Sequence, residues 1–200
     1  MSLKFANNNS LSAITSTPSG VGGGSLNLIS TQTASSSSTI SFTSGIDSTY
    51  KEYIFRFYDI HPNGNAKQFK FQADTGTNTN YNQTLTTSTF TAYHNEAGDS
   101  TSLAYNDVDH AQGTGFQHLG ISVGNDNDQS VSGILHLYDP SNTTFVKNFM
   151  ARSSTYTAND HAYDLYVAGY FNTTTAITRV QFKYDSDTID SGTIKLYGVS

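Results

Sequence analysis

The residues best equipped for chemistry lie in "SVGNDNDQSVSG", Ser122 to Gly133. Asn125, Asp126, Asn127 and Asp128 carry side-chain oxygens there in unbroken succession. Such loops hold calcium when ligands alternate, a Gly stands at position six and a Glu at position twelve. Counted from Asp126, the alternation gives Asp126, Asp128 and Ser130, but position six is Val131 and position twelve is Leu137. The EF-hand pattern therefore fails. A calcium site would have to borrow oxygens from a second loop, and "NDVD", with Asp107 and Asp109, offers them. Without that convergence no cofactor is expected, and the stretch reads as a hairpin tip. Its residues tolerate positive φ and cap turns with their own oxygens.

The other reactive side chains form no recognised set. Histidines stand at 61, 94, 110, 118, 136 and 161, none in the H-x-H or H-E-x-x-H spacing of a zinc site. The G-x-S-x-G match at Gly120 to Gly124 sits inside the alternating run "HLGISVG" with no helical pattern after it, so it supplies no elbow for a nucleophilic serine. "GDST" (Gly98 to Thr101) and "STYK" (Ser48 to Lys51) lack the strand-and-helix surroundings such motifs need. The only glutamates are Glu52 and Glu96, with nothing to pair them across a cleft as glycoside hydrolysis requires. The expectation is a protein that is not an enzyme.

The elements that would position these residues are strands. From Leu26 onward, short alternating runs are separated by turn residues. "EYIFRFYDI" sets Tyr53, Phe55 and Phe57 on one face and Ile54, Arg56 and Tyr58 on the other. "HPNG" supplies turn chemistry, and "KQFKFQA" follows with Phe69, Phe71 and Ala73 inward, so the two runs read as a β-hairpin. The same alternation recurs in "STISF", "STFTAYH" (Phe90 and Ala92), "HLGISVG", "SVSGILHLY", "TFVKNFMA", "AYDLYVAGY", "TRVQFKY" and "GTIKLYGV". These are about ten strands without a helical pattern. The expected fold is all-β, an antiparallel β-sandwich of jelly-roll type spanning residues 25–200. Gly133 and Gly169 interrupt strand patterns and suggest close backbone approach.

Residues 1–24 differ. "SAITSTPSGVGGGS" is too poor in apolar residues to order itself alone and reads as a flexible N-terminal arm that orders on docking. The stretch Asn95 to Gly115 reads as a long polar loop and the leading candidate for a contact site. Tyr105, Asp107, Asp109 and His110 lie in it; Asn125 to Asp128 join them as candidate contact residues. Tyr58, Tyr93, Tyr138, Tyr163 and Tyr197 are candidates for rings on outer sheet faces, where they would stack on sugars or on a neighbouring subunit.

Composition narrows the partners. Ten basic residues are scattered singly in a chain of net charge −6, which argues against nucleic acid. No stretch approaches the ~20 apolar residues of a membrane-spanning helix, and the opening residues lack the apolar block of a signal peptide. The absence of Cys excludes disulfides and Cys-ligated zinc. Charged residues are only 13% of the chain, about half the usual share, so little charge would repel a neighbouring subunit.

Five blocks carry a resemblance: "LKFANNNS", "GIDSTYKEYIFRFYDIHP", "AYHNEAGDS", "FQHLGISVGNDNDQSVSG" and "DSGTIKLYGVS". The chain resembles virion-associated structural proteins of tailed phages that infect marine cyanobacteria and related bacteria, over residues 25 to 200. The resemblance implies a jelly-roll component of the virion, of tail-fibre or head-decoration type, made in the host cytoplasm. It would dock on other virion proteins through the N-terminal arm. A homo-oligomer is expected, with a trimer the first guess because fibres and capsid axes favour threefold symmetry. The resemblance implies no catalytic or ligand residues. The alternative is a carbohydrate-binding host-recognition module gripping cell-surface glycan with the 95–115 loop and exposed tyrosines.

Overall fold

A computed structural model describes residues 26–200, and every regular element among them is a strand. The arm expected over residues 1–24 lies outside the described residues. Twelve strands form: β1 (Leu26–Thr33), β2 (Ile40–Phe42), β3 (Glu52–Pro62), β4 (Lys67–Thr75), β5 (Leu85–Asn95), β6 (Thr101–Tyr105), β7 (Gln117–Val123), β8 (Val131–Tyr138), β9 (Lys147–Tyr156), β10 (His161–Phe171), β11 (Ile177–Tyr184) and β12 (Ile189–Val199).

They build two antiparallel sheets. One has eight strands in the order β1-β12-β3-β8-β9-β10-β5-β6, the other four in the order β2-β11-β4-β7. Setting aside β5, β6, β9 and β10 leaves two four-stranded sheets, β1-β12-β3-β8 and β2-β11-β4-β7. In these, strands consecutive in sequence alternate between sheets except β4 and β7, which pair within the small sheet, and this is the jelly-roll arrangement expected from the sequence. Two inserted pairs, β5–β6 and β9–β10, widen one sheet only.

This topology corrects two expectations. The runs flanking "HPNG" do not form a hairpin: β3 pairs with β12 and β8, and β4 pairs with β11 and β7. "GNDNDQ" is likewise a crossing between sheets, from β7 to β8, and not a hairpin tip. At these two places the turn residues mark a change of sheet, whereas the turns after β5, β8 and β9 join neighbours in one sheet.

Alternation decides the core. Phe42, Phe69, Phe71 and Phe182 of the small sheet meet Phe55, Phe57, Phe149 and Phe171 of the large one, all nearly fully buried. The rings pack edge-on or tilted, Phe71 against Phe149 at 5.1 Å and Phe42 against Phe55 at 5.3 Å. Each such burial stabilises the fold by roughly 2 kcal/mol. Tyr184 also enters this core, its hydroxyl donating to the Ile60 carbonyl at 2.9 Å, and burial pushes its pKa up. The expected close approach at Gly133 is present: a Cβ there would lie 2.7 Å from the Phe57 ring and 2.5 Å from the Arg152 carbonyl oxygen.

One face differs from expectation. Phe90 and Ala92 point outward, while Thr87, Thr89 and Thr91 of β5 face inward and are buried. The small sheet reaches β5 through Gln117 of β7, which accepts from Thr87, and the 106–116 segment lies over the rest. That segment presents backbone groups that threonine hydroxyls satisfy. The Thr89 hydroxyl donates to the Asn106 carbonyl at 2.5 Å, and the His110 amide donates to Thr87 Oγ1 at 2.8 Å. A phenylalanine there would leave those groups unpaired, at about 1–3 kcal/mol each.

Candidate functional site

The expected contact loop, 95–115, contains a short strand, β6, between a turn and an irregular segment. Asn95 turns the chain: its side chain accepts from the amides of Asp99 and Ser100 at 3.1 and 2.9 Å, and β6 then pairs with β5. "GDST" is therefore turn and strand. After β6 the chain folds beneath the wing. Gly113 and Leu85 exchange backbone hydrogen bonds at 2.8 and 3.0 Å. Buried Gln72 and Gln117 then donate to the carbonyls of Thr114, Gly115 and Val108.

The candidate residues fall into two groups held by different partners. Tyr105 ends β6 in the open, its hydroxyl donating to Asp109 at 2.7 Å, and that carboxylate raises the phenol's pKa. Asp107 is exposed beside it. His110 is half-buried against Gly113 and Gly115, with Nε2 3.4 Å from the Phe116 carbonyl oxygen. The second group sits in the β7–β8 crossing. Asn125 donates through its side chain to the Asn63 carbonyl at 3.2 Å and through its amide to Asn65 at 3.3 Å. The Gln129 amide donates to the Asp126 carbonyl at 2.9 Å, closing a turn that leaves Asp126, Asn127 and Asp128 exposed. The first group belongs to the β5–β6 wing and the second packs on the β3–β4 crossing. Among the described residues, no three His, Asp or Glu side chains are grouped to hold a metal ion.

The broad feature is the outer face of the eight-stranded sheet. Of the eight large hydrophobic side chains exposed among the described residues, only Phe145 lies elsewhere. Leu26 and Leu28 sit at one edge, Tyr58 and Met150 centrally, and Phe90, Leu103 and Tyr105 at the other edge. Register makes a single row of Lys195, Arg56, Ile134, Arg152, Tyr166, Phe90 and Tyr105 across seven strands. Phe90 and Tyr166 stack with centroids 4.5 Å apart. Arg152 lies 4.6 Å over Tyr166 and grips Asp164 through two hydrogen bonds of 3.0 and 2.7 Å. A shallow groove lined by Ser132, Gly133, Ile134 and Ser154 runs beside that pair. Farther along, His136 meets Glu52 at 2.5 Å.

Tyr58, Tyr138 and Tyr197 stand on this outer face as expected. Tyr93 and Tyr163 do not: they stack on each other at 4.9 Å on the core-facing side, in line with Thr91 and Leu165. Reading from sequence missed Arg152, Asp164 and Tyr166. The signal was available in "TYTANDHA", because counting outward from that turn sets Arg152 opposite Tyr166 and Ser154 opposite Asp164.

Fold and surface define a jelly-roll β-sandwich with one sheet doubled in width and open to solvent. Compared with protein-family models, curated proteins and solved structures, the chain matches none of them.

Proposed function

We propose that the protein is a non-catalytic structural component of a tailed-phage virion, a tail-fibre, tail-associated or head-decoration subunit that acts by surface packing. The observation that supports this reading best is the outer face, where seven large apolar side chains gather on one open sheet. Exposed apolar side chains concentrated on one face suit a surface used for contact. The five sequence blocks that resemble virion proteins point the same way. On this reading residues 1–24 attach to other particle proteins, and the protein resides in the virion after synthesis in the host cytoplasm. The test is peptide counting by mass spectrometry on density-purified particles. Recovery in fixed proportion to the known shell and tail subunits supports the reading; recovery only in the unassembled lysate overturns it.

A second reading, a glycan-binding module, draws on the groove beside Arg152, Asp164 and Tyr166. A hydrogen-bonding pair next to a ring suits a sugar's hydroxyls and its apolar face. Signal on a glycan array that disappears in Arg152→Ala and Tyr166→Ala supports it. Absence of signal at high protein concentration removes it.

A further inference from the structure

The strand β6 closes one edge of the large sheet, and its backbone geometry can be followed atom by atom. The Asn106 amide donates to the Thr89 carbonyl at 3.0 Å, and the Asn95 amide donates to Ser100 at 3.0 Å. Hydrogen-bonded pairs alternate along an antiparallel ladder. With the register Phe90 to Tyr105 and His94 to Thr101, residues 100, 102, 104 and 106 therefore bond inward to β5. Thr101, Leu103 and Tyr105 turn their amides and carbonyls away from the sheet. Their side chains are equally open, with Leu103 73% and Tyr105 64% exposed.

Sheet edges are ordinarily blunted by charge, proline, bulges or shortness. Among the other three edges, β1 has a register shift between Leu28 and Ser30, β2 is three residues long, and β7 pairs irregularly with β4. "TSLAY" has neither charge nor proline, and its pairing with β5 is regular. An uncharged strand of this kind is complementary to itself.

We propose that β6 docks a second copy of this chain, the two strands pairing antiparallel about a twofold axis through Leu103. In that register Leu103 faces its own symmetry mate and Thr101 faces Tyr105, so the outward groups form about six backbone hydrogen bonds. The two eight-stranded sheets become one, and the outer faces run continuously across the axis. Leu103 and Tyr105, the most exposed large hydrophobic side chains of the wing, are covered. The register also turns Asp99 toward Asp107 of the second copy, so salt tightens the pair by screening their repulsion. The pairing is twofold, where particle symmetry alone suggested three. It goes beyond the virion reading, because it concerns what the chain does with itself wherever it resides.

Sedimentation equilibrium of the full chain tests the pairing. The expected result is a reversible dimer of the 21.7 kDa chain, tighter at high salt. Leu103→Pro removes only an outward amide and leaves the β5 ladder intact; Leu103→Lys places charge on the edge without touching the backbone. Both variants should be monomeric with an unchanged β-sheet circular dichroism spectrum, and the Lys variant alone carries the test if the Pro variant misfolds. A wild-type chain that stays monomeric at sub-millimolar concentration and high salt overturns the proposal. So does an oligomer that persists in the folded Leu103→Lys variant.

Discussion

His118 shows how a single side chain acquires a property that its neighbours in sequence do not suggest. It lies in a row across three strands of the small sheet, Lys183 beside Lys70 beside His118. Its Nδ1 has no hydrogen-bond partner among the described residues. Burial lowers its pKa to about 4, and the charges of Lys70 and His110 add to the effect against smaller opposing pulls from Asp185 and a hydrogen bond to the Val108 backbone. The folded pKa lies below the unfolded value of about 6.5, so the unfolded chain binds the proton first. Stability is therefore full above pH 6.5 and falls as pH drops, with the loss complete near pH 4, by up to about 3 kcal/mol. Urea unfolding of His118→Gln between pH 7 and 4 should show this component removed, with the remaining carboxylate-driven slope intact. An identical pH slope in variant and parent would refute the assignment. The other five histidines hold hydrogen bonds to backbone carbonyls, at 61, 94, 110 and 161, or to Glu52, at 136. Residue type announced all six as candidates; only cross-strand register, formed between segments distant in the chain, singles out His118.

At the scale of elements, legibility followed burial. Ten of the twelve strands were readable because one face of each is buried and imposes a period of two. The two that were not, β1 and β6, are the outermost strands of the large sheet and have no buried side chain, so their sequences show no alternation. The inward face of β5 was misassigned for a related reason. It packs against the 106–116 backbone and the Gln117 side chain, polar neighbours that select hydroxyls, where apolar neighbours select rings. Thr87 is central to this, accepting from the His110 amide at 2.8 Å and donating to buried Gln117 at 2.7 Å. Thr87→Val keeps the shape and removes both bonds, so it should cost about 1–3 kcal/mol. Hydrogen exchange should speed at His110 and through residues 106–116 while the amides of β3 and β12 keep their protection. Ser88→Val, one residue along on the exposed side, should change neither. Uniform loss of protection across the chain in Thr87→Val would mean that the wing is not a separable layer.

The molecule as a whole is a jelly roll whose two inserted strand pairs were both added to the same sheet. The doubling creates the open face, and the cost is a wing that must be lined from within by the chain's own 106–116 segment. The class of fold was legible because alternation and turn spacing survive at low resolution of detail. The wide face was not, because it depends on which sheet each insertion joins. Among the described residues both sheets are continuous from Leu26, where β1 joins β12 at Val199. Deleting residues 1–24 should accordingly leave the thermal midpoint and the β-sheet spectrum unchanged. If those residues are the attachment segment, the shortened chain should also fail to enter particles when it competes with the full chain during assembly. Two measurements on one variant separate the outcomes. Lost incorporation with an unchanged midpoint assigns attachment to the segment. Lost incorporation with a lowered midpoint assigns the segment a part in folding. Full incorporation means that attachment runs through the sandwich itself, and the outer face then becomes the surface to mutate.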